Sequence, residues 1–257
     1  LLPESAYPER DSNAYEGAGV LSSVFPHLLP TDSAGAMRNL AAWPWMDSIC
    51  AAAPLRGVES MRLGRRQSTD LLIVSFSTLD AVGHNFGPDS REVHDHLLRL
   101  DRYLGSFLDS LWKLVPRDRV VLALTSDHGA NSFPQALRER RMPAGLIPMG
   151  DVARLTAQQL QARYGQTGGV RSDNGSILAD LDLLRSLRVN IDSLSRSVAA
   201  LVEAQEGVLR AYTPATLRSA RATDSMATLW KRQIPAGLGW LAVAAARQGY
   251  IFTSGVL

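Results

Sequence analysis

Two short stretches of the chain, residues 69–76 and 119–125, each contain an uninterrupted apolar run, at 71–74 and at 120–124. A strand with one face in water alternates apolar and polar side chains. Continuous apolarity instead indicates a strand covered on both faces, as in a parallel sheet. We therefore predict two parallel strands at these positions, with a loop over residues 77–88 after the first.

The segment between these strands has the periodicity of an amphipathic helix. Its apolar residues step by three and four: Val93, Leu97, Leu100, Leu104, Phe107 and Leu111. Such spacing places them on one face of a helix. Asp89 followed three residues later by Glu92 is typical of a capping box. Strand, helix and strand then form a βαβ unit, whose crossover is almost always right-handed.

Weaker patterns in the rest of the chain complete the prediction. Helices are predicted at 32–43, from 43 onward, at 151–164, 191–205 and 241–248, and strands at 175–181, 208–212 and 250–253, whereas 224–240 shows no period. The expected fold class is α/β, with a largely parallel central sheet and helices on both faces. We expect one partial catalytic domain over residues 1–257, with its βαβ core at 69–135 and a lid or insert with the remaining sheet elements at 136–257.

Composition restricts the function classes. The 257 residues are 46% apolar and 20% charged, as in an ordinary globular protein. Lys plus Arg number 27 against 25 for Asp plus Glu, so no concentrated basic surface favours nucleic acid as a partner. The single cysteine, Cys50, excludes a disulfide within the chain and a thiolate metal cluster. No apolar run is long enough for a transmembrane segment, and no signal peptide is recognisable.

The candidate chemistry lies after the two predicted strands. Asp80 and His84 follow the first, and Asp127 and His128 follow the second. Carboxyl ends of parallel strands share one edge of a sheet, where ligands bind. Carboxylate and imidazole are zinc ligands, and two zinc ions about 3.5–4 Å apart can clamp the oxygens of a phosphoryl transfer. The alternative, that each pair is a turn with a capping carboxylate, stays open.

Three other histidines are predicted to lie outside this site. His94 and His96 are two residues apart on the predicted helix and so face different directions, with His94 expected on a solvated face. His27 lies between Pro26 and Leu28 in an extended segment, where we expect a packed or hydrogen-bonded side chain.

The motifs resemble a known family. Asp80-Ala-Val-Gly-His84-Asn-Phe-Gly-Pro, Leu100-Asp-Arg-Tyr-Leu104-Gly and Thr125-Ser-Asp-His-Gly129 are similar to those of the alkaline phosphatase superfamily, in its type I phosphodiesterase/nucleotide pyrophosphatase branch. Residues 2–10 and 25–27 resemble the monoesterase-type alkaline phosphatases of that branch. The clear resemblance covers residues 1–135.

The resemblance implies a mechanism and its ligands. Asp80 and His84 would hold one Zn²⁺, and Asp127 and His128 the other. A Thr or Ser nucleophile, expected upstream of residue 1, would form a phosphoryl-enzyme intermediate. The substrate would be a small phosphate monoester, and the location periplasmic or extracellular. A phosphodiesterase or nucleotide pyrophosphatase, or a non-catalytic degenerate domain, are the alternatives.

The chain departs from the family pattern at both ends. The early Asp, the nucleophile and the phosphate-contacting basic residues of the family have no match. None of the five histidines follows His128, so the downstream ligand is also unmatched. The chain has no initiator Met and ends just after a predicted strand. We expect an incomplete domain, a fragment of an active parent, that binds zinc weakly and turns over little substrate.

Overall fold

The computed structural model describes residues 3–16, 22–28 and 30–254. Residue 2 belongs to the stretch 2–10 that resembles the monoesterase-type alkaline phosphatases, and it lies outside the described ranges. Residues 255–257 also lie outside them. The chain divides into two compact units, Leu1–Phe133 and Pro134–Leu257. The single catalytic domain expected over residues 1–257 stays a prediction. No helix within the described ranges has the length and apolarity needed to cross a bilayer.

The described residues of the first unit form four α-helices. They are α1 (Ser33–Asn39), α2 (Trp45–Ser60), α3 (Thr78–Phe86) and α4 (Arg91–Leu114). The side chain of Asp32 accepts the Gly35 N–H and so caps α1. Helices α2 and α4 pack through a core of Ala51, Val58, Phe107, Leu111 and Val115. The apolar stripe of the sequence thus gives the long helix that it predicts.

Two local predictions in this unit are wrong. Residues 77–88 are not a loop, because α3 occupies most of them. The cap of α4 is Ser90 rather than Asp89, since the Ser90 hydroxyl accepts the Val93 N–H at 3.2 Å. Glu92 does not complete a capping box but instead contacts His27.

The two predicted strands of the βαβ unit are also not strands in this structure. Within the described residues, neither 69–76 nor 119–125 pairs with another strand. Their inner side chains Val74, Phe76 and Val120 pack against the α2–α4 core, whereas Leu71, Ile73 and Val121 are 83%, 81% and 98% exposed. Apolar side chains on both faces predict a strand that is buried on both sides. The pattern does not by itself provide the adjacent strand with which the backbone must form hydrogen bonds.

Up to residue 254, where the described part of the chain ends, the second unit combines two sheets with six helices. Its elements in chain order are α5 (Pro134–Glu139), β1 (Gly145–Pro148), α6 (Met149–Tyr164), β2 (Arg171–Asp173), β3 (Ser176–Leu178), α7 (Leu181–Ser186), α8 (Ile191–Glu203), β4 (Val208–Tyr212), α9 (Pro214–Ser219), α10 (Ser225–Gln233), β5 (Trp240–Ala246) and β6 (Tyr250–Thr253). Strands β2-β3-β5-β4 form an antiparallel sheet, and β1 pairs with β6 in parallel. Helices α6 and α8 contribute to the same core as β3 and β5.

The predictions for this unit hold for α6, α8, β4 and β6, and fail in three places. Residues 241–248, predicted helical, form the central strand β5. The strand predicted at 175–181 stops at Leu178, because Asp180 caps α7 by accepting the Leu183 N–H. Helix α10 lies in the stretch 224–240, where no period was visible.

Candidate functional site

Helix α3 places Asp80 and His84 on one face. Residues four apart on a helix are neighbours, and the His84 Nε2 atom is 3.4 Å from Asp80 Oδ1. Asp80 lies in the first turn and His84 in the last, each at the end whose partial charge favours it. Their side chains are 48% and 77% exposed. The pair is therefore oriented by the helix and open to solvent.

His128 of the second predicted pair approaches the same carboxylate. Its Nε2 atom is 3.5 Å from Asp80 Oδ1. Its Nδ1 atom is 2.9 Å from the Gly129 carbonyl oxygen, so Nδ1–H donates to that carbonyl. In the neutral ring this leaves the Nε2 lone pair free. Asp80 thus lies between two imidazoles from segments far apart in the sequence.

Hydrogen bonding and charge act on His128. The pKa of His128 is raised because the Gly129 carbonyl accepts from the ring and because the carboxylates of Asp127 and Asp80 stabilise the imidazolium. A cation at Nε2 would have to displace the proton that these groups favour.

Asp127 is the most exposed of the four predicted ligands, with 88% of its side chain accessible. Its Oδ1 atom accepts the His128 backbone N–H at 3.0 Å, and its Oδ2 atom is 3.7 Å from His128 Nε2. The structure therefore brings Asp80, His84 and His128 together and leaves Asp127 beside its own neighbour.

The Asp80 and His84 side chains agree in chemistry and in spacing with two ligands of one zinc ion. Two ligand atoms on a tetrahedral zinc ion, each about 2.0–2.1 Å from it, lie about 3.4 Å apart. The Asp80 oxygen is 3.4 and 3.5 Å from the two imidazole nitrogens, beyond an ordinary hydrogen bond. The Gly129 carbonyl orients His128 as outer partners of zinc-bound histidines do. Across the described ranges, however, no three His, Cys, Asp or Glu side chains form a group able to hold a metal ion.

The other three histidines each contact a carboxylate elsewhere in the first unit. His27 Nε2 lies 2.7 Å from Glu92 Oε1, as expected for a hydrogen-bonded loop residue. His94 contacts Glu9 at 3.0 Å and is partly buried rather than solvated. His96 lies 2.8 Å from Asp47, and both side chains are fully buried. The sequence indicates that His96 is buried, because His96 follows Val93 by three residues and so lies on the apolar face of α4.

An N-terminal segment runs beside the first half of α4. The Tyr7 hydroxyl donates to Asp95 at 2.9 Å, and Arg91 Nε donates to the Glu9 carbonyl at 2.8 Å. Farther along the segment, burial raises the pKa of the Glu16 carboxyl.

The N-terminal segment also contacts α3. The His27 ring packs on Phe86, at the end of α3, with ring centres 4.7 Å apart. This segment therefore supports the helix that carries Asp80 and His84.

Comparison with known proteins gives a consistent family assignment. The family model described as type I phosphodiesterase/nucleotide pyrophosphatase matches residues 22–214. The chain is 31% identical over 218 residues to alkaline phosphatase PhoV of Synechococcus elongatus, covering 82% of the chain and 39% of PhoV. It is 27% identical over 215 residues to alkaline phosphatase PafA of Elizabethkingia meningoseptica, covering 81% of the chain and 39% of PafA.

The crystal structure of wild-type alkaline phosphatase PafA has a similar fold. It superposes with a TM-score of 0.84 at 23% identity, over 97% of this chain and 49% of that one. The likeness confirms the α/β fold class with a parallel sheet and helices, although the larger sheet of the described residues is antiparallel. The chain spans about two fifths of the length of the curated relatives and half of the solved chain.

Proposed function

The chain belongs to the type I phosphodiesterase/nucleotide pyrophosphatase family, and we propose that it forms part of a zinc-dependent phosphate-monoester hydrolase of the alkaline phosphatase type. The observation that carries the proposal is the position of Asp80, whose Oδ1 atom lies 3.4 Å from His84 and 3.5 Å from His128. Two segments that are separate in sequence thus meet at one carboxylate. The relatives reported above are named alkaline phosphatases, which favours monoesters over diesters.

Four side chains would hold the metal. We assign Asp80 and His84 to one Zn²⁺, and Asp127 and His128 to the other. Zinc would neutralise the charge of a phosphate ester and lower the pKa of a bound water or hydroxyl. Helix α3 fixes the spacing of the first pair, and the Gly129 carbonyl holds the His128 ring so that Nε2 faces Asp80.

The remaining parts of the mechanism are proposed for the protein beyond this chain. The hydroxyl oxygen of a Thr or Ser would attack the phosphorus and lose its proton while the ester P–O bond breaks, so that the alcohol leaves with a proton and the phosphoryl group stays on the enzyme. Further ligands would complete the two zinc sites, because two protein ligands are fewer than a tetrahedral ion takes. We propose a small phosphate ester as the substrate and a periplasmic or extracellular location. The 257-residue chain itself should bind zinc weakly and hydrolyse little substrate.

Zinc binding by the 257-residue chain tests the proposal directly. Competition with a chromophoric chelator should show that Asp80→Ala weakens zinc binding more than about tenfold, since Asp80 adjoins both imidazoles. Asp109→Ala is the matched control, because Asp109 is an exposed carboxylate on α4 of the same unit. Equal zinc affinity in the wild type and Asp80→Ala would contradict the proposed site.

Activity is measured in the parent protein. Hydrolysis of p-nitrophenyl phosphate should exceed that of bis(p-nitrophenyl) phosphate, and His128→Ala should abolish it. A parent protein that prefers the diester would show that the phosphodiesterase alternative is correct.

A further inference from the structure

A glycine ends the helix that carries the first predicted pair. Gly87 follows Phe86 of α3 with φ +83°, a conformation that side chains other than glycine rarely adopt. A Cβ atom at this position would lie 2.9 Å from Cδ2 and 3.0 Å from Cε2 of Phe133. The Phe133 ring is thus in direct contact with the backbone at the end of α3.

Phe133 also ends the segment that carries the second pair. Residues 121–131 are all exposed and pair with no strand among the described residues. Before them, Val120 packs against the α2–α4 core. After them, Phe133 packs on Gly87. Asp127 and His128 therefore lie in a segment whose packing contacts are at its two ends.

The Phe133 ring has a second neighbour in the N-terminal segment. Tyr15 packs against it edge to face, with ring centres 5.7 Å apart and planes at 78°. Such aromatic pairs are worth about 0.5–1.5 kcal/mol beyond the area that they bury. The ring is thus held between Tyr15 and the backbone of Gly87, which restrains the end of the segment.

We propose that the contact of Phe133 with Gly87 positions Asp127 and His128 against Asp80 and His84. The contact joins the C-terminal end of α3 to the segment that leaves His128, five residues later in the chain. Without it, the exposed residues 121–131 would be free to move away from α3. The effect of this contact on zinc affinity rests on the proposed function. Its effect on the geometry of residues 121–131 does not.

The experiment uses two readouts on the 257-residue chain. Phe133→Ala should weaken zinc binding about tenfold, the lower range for residues that orient metal ligands. Without metal, it should lower the amide order parameters of residues 127–131. Phe133→Leu, which keeps an apolar side chain on Gly87, should retain part of the zinc affinity and part of the order of residues 127–131. Phe133→Ala added to Asp127→Ala/His128→Ala should weaken zinc binding no further, because the ligands that it positions are gone.

Gly64 offers a matched control for the reciprocal change. Gly87→Ala should act like Phe133→Ala, because the added Cβ displaces the ring. Gly64 has φ +71°, and its Cβ would lie 2.8 Å from Val115, so Gly64→Ala imposes similar strain away from the site. Gly64→Ala should lower the melting temperature and leave the zinc affinity and the order of residues 127–131 unchanged.

The outcomes separate this inference from the proposed function. Unchanged order and unchanged zinc affinity in Phe133→Ala would overturn the positioning role. Equal loss of zinc affinity in Gly64→Ala would also overturn it, since general destabilisation would then suffice. A wild-type chain that binds no zinc, yet loses order at 127–131 in Phe133→Ala, would support the positioning role and contradict the proposed function.

Discussion

Asp47 and His96 place two polar side chains in the interior of the first unit, between α2 and α4. Their 2.8 Å contact satisfies one atom of each, whereas Asp47 Oδ1 and His96 Nδ1 are buried without a hydrogen-bond partner among the residues that the structure describes. A buried polar group that loses its partner costs more free energy than the hydrogen bond contributes, because no water replaces it. The pair therefore constrains how the two helices can pack.

Asp47→Ala should lower the free energy of unfolding by about 2 kcal/mol, the typical cost of leaving a buried partner unsatisfied. Urea denaturation measures it. Glu59→Ala, on the exposed part of α2, is the control and should change stability by less than about 0.5 kcal/mol. Asp47→Leu/His96→Leu should recover much of the loss, because an apolar pair leaves nothing unsatisfied. A double variant as unstable as Asp47→Ala would contradict this explanation.

At the residue scale, sequence reasoning finds contacts between groups close in the chain more readily than contacts between distant ones. The spacing of Asp80 and His84 places them four residues apart, and their contact follows from helix geometry alone. The partner of His96 lies 49 residues away in another helix, and nothing local indicates it. The approach of His128 to Asp80 was predicted from parallel strand ends, and the two side chains lie 3.5 Å apart, although among the described residues neither segment is paired as a strand.

Among the elements, α10 shows how one carboxylate fixes the start of a helix. Asp224 accepts the Ala227 N–H at 3.0 Å and the Tyr212 hydroxyl at 2.8 Å. These hydrogen bonds, the backbone one first, lower the pKa of Asp224, and Arg210 adds to the effect. Because the folded state favours the charged form, the stabilisation is present above the ordinary carboxyl pKa and is lost as pH falls through the lowered value.

Asp224→Asn should therefore lower the melting temperature at pH 7 by more than it does near pH 3. Asparagine keeps a capping oxygen, so the substitution removes mainly the charge. Circular dichroism melting between pH 7 and pH 3 measures the difference. Asp173→Asn, at an exposed position of β2, should leave the curve unchanged. A deficit that is constant across this pH range would show that the charge is not the cause.

The elements also show where local pattern is insufficient. Residues 241–248 are rich in alanine, the strongest helix former, yet Trp240–Ala246 is a strand with β3 and β4 on its two sides. Neighbouring strands supply backbone partners that override intrinsic propensity. Helix α4 was predicted well because its stripe is long and regular, whereas α10 has nine residues and shows too few turns to establish a period.

For the molecule as a whole, the exposed apolar side chains are concentrated in the first unit. Leu71, Ile73, Val121 and Leu124 are each at least 79% exposed, all in the two segments that were predicted as covered strands. Side chains exposed to this degree offer apolar surface at which apolar ligands can bind.

The 257-residue chain should accordingly enhance the fluorescence of the apolar dye anilinonaphthalene sulfonate. Ile73→Ser/Val121→Ser should reduce the enhancement by about half or more without lowering the melting temperature, since these side chains contribute little to the core. Met37→Ser, at an exposed apolar position in α1, should leave it nearly unchanged. Equal enhancement in the wild type and the double variant would show that the dye binds elsewhere.

Strands β1 and β6 pair in parallel although Gly145 and Tyr250 are 105 residues apart in the chain. During synthesis at about 5–20 residues per second, β1 leaves the ribosome several seconds before its partner exists. The antiparallel sheet can assemble in that interval, because β2 to β5 are all made before β6. The second unit should thus be completed only after Thr253 has emerged, and a nascent chain arrested before Tyr250 should leave β1 accessible to chaperones.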